Sequence, residues 1–463
     1  MTGFQGIAYM FIYPLLALFL AVSAMPLCIR LARHYGLFDS PDAQRKMHAG
    51  AVPFTGGYAI IIAFALTFVT MWFMEGEAFF TIQYTNFAPM YMYIAEATLI
   101  IVILGVIDDL RELTYSQKFF FQFIASFLMI LGAIKSSIFP SVFSIENSGV
   151  LVNSAGMVVS LLWLVGTTNA INMIDGMDGL AGATSLISSA ALAAVAFLWG
   201  NPVLGIVLLT LSGAITGFLV FNLPPARVFM GDGGSMFIGF ILAFSGWMLV
   251  DSGPKDPIAV VVPIIILGLP VSDTLLAFFR RIVRGTNPFV PDLYHIHHML
   301  ARRTGLPLRQ VVLLLSLISL VYGAVGVALA VLPTSYGWAL IGIVAAGKLF
   351  LLHKLGYTSL IRSSDRDAHH SHLHAIRIVQ KGKSLATVPV NGANGYHANG
   401  NGNGATNGNG KANGKANGIE IRVNGNGYHN GSNGNGTNGV PGVPGKPAEK
   451  KPDEEQNPDA NAA

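Results

Sequence analysis

Cysteine is nearly missing: Cys28 is the only one in 463 residues, which excludes an intrachain disulfide and any Cys-rich metal centre. Charge is scarce as well. Asp, Glu, Lys and Arg make up 11% of the chain and hydrophobic residues 52%, whereas a soluble domain carries about 25% charged residues. The net charge of +4 is too small to point to nucleic acid, and the basic residues sit beside the ends of apolar runs, where sorting of positive charge across a membrane already accounts for them. No basic segment precedes the first apolar run, Ile7 to about Leu27, and no clear cleavage site follows it. That run is expected to stay as a span and not to be removed as a signal peptide.

What the chain does have is apolar length. A bilayer core takes about 20 apolar residues per helix, and stretches of that order lie near residues 7–29, 57–74, 89–107, 119–138, 150–168, 180–199, 202–221, 234–250, 258–279, 311–331 and 336–355. The expected fold is an all-α polytopic integral membrane protein with about 11 transmembrane helices in one domain, residues 1–356. Residues 357–381 read as a polar cytoplasmic linker, and 382–463, rich in Gly and Asn, cannot bury enough apolar surface to offset the entropy of ordering, so a disordered tail is expected. His369, His370, His372 and His374 in the linker are open to a transition metal, or are simply solvated. Arg30, Arg33, Arg45, Lys46, Arg111, Lys118, Arg227, Arg280, Arg281, Arg284, Arg302, Arg303 and Arg309 fall in connections on one side, with Lys255 the exception. Those loops and the tail are expected in the cytoplasm and the amino terminus outside.

An Asp at the centre of a lipid-embedded helix is disfavoured by about 2.5–3.5 kcal/mol on insertion scales, so the placement of polar residues is informative. Asp108, Asp109, Asn169, Asn172, Asp175, Asp178, Asp232, Asp292, His295, His297 and His298 all fall in connections assigned to the same side, which points to one shared site. Asp108 and Asp109 follow Gly105-Val106-Ile107 at the carboxyl end of the third span, where the helix dipole is already negative. Such a pair is either a solvated helix end or is relieved by a divalent cation or a neighbouring cationic group. Asn169, Asn172, Asp175 and Asp178 lie between Thr168 and Leu180; an N-cap would explain Asp178 but not all four, and Gly176 and Gly179 let backbone approach a ligand. Asp232, in Phe229-Met-Gly-Asp-Gly-Gly-Ser235, has the same bland alternative. Its oxygen surroundings favour Mg²⁺ or Mn²⁺ over zinc, and a helix start offers N–H groups to a phosphate. His295, His297 and His298 stand between Arg280, Arg281, Arg284 and Arg302, Arg303, too close along the chain for a tetrahedral zinc set of their own; they read as an anion grip.

With these elements, and with Lys46-Met-His48 leading to Pro53-Phe-Thr-Gly-Gly57, the chain resembles the polyprenyl-phosphate N-acetylhexosamine-1-phosphate transferases, glycosyltransferase family 4, over roughly residues 10–330. The number of spans and the His-Ile-His-His form are more similar to the undecaprenyl-phosphate N-acetylglucosamine-1-phosphate branch than to the muramoyl-pentapeptide branch. Glu112 stands where some members have a third Asp, and Leu293 where many have Lys or Arg; these departures bear on the sugar and not on the reaction class. The resemblance implies a UDP-N-acetylhexosamine donor, an undecaprenyl phosphate acceptor, UMP as leaving product, the bacterial inner membrane, and a cell-envelope glycan such as the O-antigen of lipopolysaccharide. It implies Mg²⁺, with Mn²⁺ as substitute, on Asp232 with Asn172. Asp108, Asp109, His297 and His298 are then catalytic, and Lys46, His48, Lys118, Asn169, Asp175, Asp178 and His295 bind substrates. One-step transfer and an aspartyl intermediate both stay open, as does a homodimer. A transporter is the rival class, but its acids would lie near the midplane on broken helices, often in inverted repeats, and no repeat is seen. The His-Glu-Xaa-Xaa-His of a membrane metalloprotease is absent.

Overall fold

The computed structural model describes residues 3–39, 51–81, 87–136, 150–287 and 295–356. Lys46, His48, Asp292, Leu293, the four linker histidines and the whole expected linker and tail lie outside the described residues.

The described chain runs α1 (Gly3–Tyr35), a two-stranded ribbon of β1 (Phe38–Asp39) and β2 (Val52–Pro53), then α2 (Gly56–Thr81), α3 (Phe87–Arg111), α4 (Tyr115–Lys135) and α5 (Val150–Ile174). It continues through α6 (Leu180–Leu198), α7 (Pro202–Asn222), α8 (Gly231–Ser252), α9 (Ile258–Ile266), α10 (Gly268–Val283), α11 (Ile296–Thr304), α12 (Leu308–Val331) and α13 (Thr334–Lys354). The ribbon is antiparallel, pairing Phe38 with Pro53 and Asp39 with Val52. Among the described residues nine helices are long and apolar enough to cross a membrane, and α9 with α10, bent by 86°, would make a tenth. The third expected span, 89–107, falls on α3, a 25-residue helix that carries Glu96, Asp108, Asp109 and Arg111 and lies outside that count.

Lipid tails are as apolar as Leu, so helices in a membrane associate through close packing more than through hydrophobic burial, and small residues permit the closest approach. Here α8 is the central helix, buried along its whole apolar length, and it presents Gly233, Gly234, Gly239 and Gly246 to its neighbours. Around it stand α2, α3, α5, α6, α7 and α9, while α1 packs outside on α2 and α7. The break between α9 and α10 follows from composition: Pro263 and Pro270 remove backbone donors on either side of Leu267-Gly268. A span expected to run straight from 258 to 279 therefore turns sharply near its middle.

Candidate active site

The starts of α2, α4, α6 and α8 and the carboxyl ends of α3 and α5 meet at one end of the bundle, as up-and-down connectivity requires. Main-chain bonds zip two of the sequence motifs together. Phe229 N donates to Pro53 O at 2.7 Å, Gly56 N to Phe229 O at 2.9 Å and Gly57 N to Met230 O at 2.8 Å. Gly231 turns the chain into α8 at φ 77°, and a Cβ there would lie 2.4 Å from Phe54 O and 3.1 Å from both Asp109 carboxylate oxygens, so the turn needs glycine.

Asp109 is engaged on all sides. It accepts from Tyr58 Oη at 2.6 Å, Asp232 N at 2.8 Å and Gly233 N at 3.2 Å, setting its negative charge on the positive end of α8. Asp108, 3% exposed, accepts from Leu113 N at 2.8 Å and pairs through its other oxygen with the Lys118 ammonium. Lys118 also reaches Asp232 Oδ2 at 2.8 Å, so one cation bridges the carboxylates of α3 and α8 and relieves the repulsion expected at the end of α3. The second Asp232 oxygen accepts from Asn172 Nδ2 at 3.1 Å, and the same amide nitrogen faces Ser235 Oγ at 2.9 Å.

Neither acid is an N-cap. The cap of α8 is Met230 and that of α6 is Gly179, in the left-handed conformation. Asp178 instead accepts from Ala226 N at 3.0 Å, while Asn222 accepts from Gly179 N at 2.9 Å and donates to Val228 O at 2.8 Å, which ties the turn after α5 to the segment entering α8. Asn169 lies one turn deeper in α5 and donates to Gln122 Oε1 at 2.6 Å. The structure thus places it between α4 and α5, beneath the carboxylates.

Asp175 occupies the turn above them. Burial, then the charges of Asp232, Asp109 and Asp178, push its carboxyl up to about 7. The next residue joins the acids to the histidines: a Cβ on Gly176 would lie 2.9 Å from His297 Nε2. His297 and His298 are held with ring centroids 4.2 Å apart, and His295 and His297 lie nearly parallel at 5.6 Å. Burial pushes His297 down to about 4 and His298 to about 3, so at neutral pH each carries one N–H and one lone pair. Both ring nitrogens of His297 are buried with no hydrogen-bond partner among the described residues.

The sequence model of the family described as "Glycosyl transferase family 4" matches residues 91–250. A protein of Bacillus subtilis (strain 168) named "Probable undecaprenyl-phosphate N-acetylglucosaminyl 1-phosphate transferase" is 31% identical over 297 residues, 64% of this chain and 78% of that relative. The chain belongs to glycosyl transferase family 4. Further family 4 relatives, each named "Undecaprenyl-phosphate alpha-N-acetylglucosaminyl 1-phosphate transferase", occur in Escherichia coli (strain K12) and Yersinia pestis. The first is 29% identical over 305 residues (64% of this chain, 78% of the relative) and the second 28% over 376 (80% and 94%).

The family 4 match contains Asp108, Asp109, Lys118, Asn169, Asn172, Asp175, Asp178 and Asp232, while the histidines follow it. Two residues of this site are not evident from motif spacing. Tyr58 opens an apolar run and has no sequence signal of its own. Asp273 had one: a carboxylate inside a span is costly enough to need a purpose. The donor set also fits a hard divalent cation. No ready cluster of three His, Cys, Asp or Glu side chains exists among the described residues, yet Asp108 and Asp232 share the ammonium of Lys118, and the charges of Asp109 and Asp232 both act on the Asp175 carboxyl. Excess carboxylate oxygen of this kind suits Mg²⁺ or Mn²⁺.

Proposed function

We propose that this family 4 chain transfers N-acetylglucosamine 1-phosphate from its UDP-sugar to undecaprenyl phosphate at the cytoplasmic face of a bacterial inner membrane, releasing UMP and starting a cell-envelope glycan. The observation that carries the reading is the Asp108–Lys118–Asp232 bridge, set against the histidine cluster at the Gly176–His297 contact. A lipid-phosphate oxygen forms a bond to the sugar-bearing phosphorus, and the bond from that phosphorus to the oxygen kept by UMP breaks.

Phosphoryl transfer of this kind needs alignment and charge neutralisation more than covalent chemistry. Lys118 and the N–H groups of His297 and His298 would hold phosphate oxygens, with the His295 ring beside them on the substrate side. Asp108 would orient the lipid phosphate and take its remaining proton, a modest contribution because that proton has a pKa near 6. Asp109, committed to Tyr58 and the first amides of α8, keeps Asp232 in place. Asp175 and Asp178 shape the donor side; Lys46 and His48 are assigned to the acceptor. Mg²⁺ or Mn²⁺, held by Asp232 with Asn172 beside it, would supply charge neutralisation as UMP departs.

Radiolabelled UDP-N-acetylglucosamine and undecaprenyl phosphate, added to membranes containing the chain, are expected to yield a lipid-soluble product, lost with EDTA and restored by Mg²⁺. No product with this donor, its epimer or UDP-muramoyl-pentapeptide would overturn the reading. The sign of the pH effect follows from Asp175: below about 7 its raised carboxyl keeps a proton that competes with a cation, so half-maximal activation should need less Mg²⁺ at pH 8 than at pH 6. In Asp175→Asn that difference should shrink.

A further inference from the structure

Asp273 lies in α10, the second half of the bent pair, and is 3% exposed. A carboxylate so buried has to be hydrogen-bonded, and both oxygens are used on the histidine helix. Oδ1 accepts from Ile296 N at 2.8 Å, and Oδ2 faces His295 Nδ1 at 3.0 Å and His297 Nδ1 at 3.9 Å. His295, 6% exposed, is the N-cap of α11 but makes no side-chain cap bond, so Asp273 takes the first amide of that helix from outside.

We infer that Asp273 is a positioning residue for the transfer, fixing the tautomer and plane of His295 and through it the orientation of the histidine cluster. This rests on the transferase reading and assigns it a further residue. An ionised carboxylate only accepts, so the shared proton belongs to His295 Nδ1 and leaves Nε2 as the nitrogen that can meet a ligand. An aspartate sets a catalytic histidine in hydrolytic triads by the same logic. The effect passes onward because the His295 ring lies 8° from parallel to that of His297, whose Nε2 abuts the Asp175–Gly176 turn. Asp273 meets no reacting atom; it acts through His295.

Asp273→Asn keeps the shape and an oxygen for Ile296 N–H, but its NH₂ donates to Nδ1 and moves the ring proton to Nε2. With UDP-N-acetylglucosamine as donor, kcat should fall by about 10–100-fold, with KM for the lipid and the melting temperature close to wild type. His295→Ala should fall similarly, the double variant should be no worse than His295→Ala, and Asp273→Glu should recover part of kcat. An Asp273→Asn enzyme as fast as wild type overturns the inference, as do losses that multiply in the double variant, or a loss that follows a lowered melting temperature with no rescue by Glu. A wild-type chain that forms no lipid product refutes the transferase reading instead.

Discussion

Asp232→Asn is expected to lower transfer by about 10³-fold or more while the protein still accumulates in membranes. Removing one preorganised charge at a site of developing charge typically loses about 10²–10³-fold, and here the same carboxylate is the proposed cation ligand. The wild-type oxygens face two donors, the Lys118 ammonium and the Asn172 amide. An Asn side chain must turn its NH₂ toward one of them, so a contact is lost together with the charge. Folding should survive, because the first turn of α8 is held by Asp109, not by Asp232 itself. Asp109→Asn makes the contrast. Its oxygens accept three donors inside the bundle, so that variant should lose thermal stability along with activity. Transfer assays normalised to immunoblotted protein would check both, and an Asp232→Asn chain retaining a tenth of wild-type activity would remove Asp232 from the centre of the site.

The spans were legible because lipid penalises polar residues, which leaves apolar runs unbroken and forces acids to helix ends. For the same reason Asp108, Asp109, Asp175 and Asp232 could be gathered into one site before any coordinates. Partner choice was not legible. Lys118 reads as a phosphate ligand in sequence, and nothing in its spacing shows that it also bridges Asp108 and Asp232, where the α4 start faces the crossing of α3 and α8. Asn169 reads as part of a loop, but α5 continues to Ile174, and a polar residue is tolerated there because Gln122 on α4 satisfies it. Asp273 hid inside an apolar run that bends, and only the bend brings α10 against α11. Each of these contacts depends on how helices cross, and crossing is decided largely by residues with no side chain to read.

Gly105→Ala should therefore lower kcat by about 10²-fold and lower stability by about 1–3 kcal/mol. Two consecutive glycines of α8 are crossed by different helices: a Cβ on Gly105 would lie 2.3 Å from Gly233 Cα, and one on Gly57 would lie 2.3 Å from Gly234 Cα. The obstructing atoms are backbone and cannot rotate aside, so an added methyl must push α3 away from α8. Asp108 and Asp109 follow one turn after Gly105 and would move with it, drawing Asp109 off the Asp232 and Gly233 amides. A shift near 1 Å in a positioning contact is enough for a loss of about 10²-fold. Gly166→Ala in α5, where a Cβ meets nothing within 4 Å, is the control and should leave both the melting temperature and kcat near wild type. If Gly105→Ala instead melts and turns over like wild type in detergent, the close crossing of α3 and α8 does not hold the carboxylates in register, and the Asp109–Asp232 contact must be maintained by Tyr58 and the α2 crossing alone.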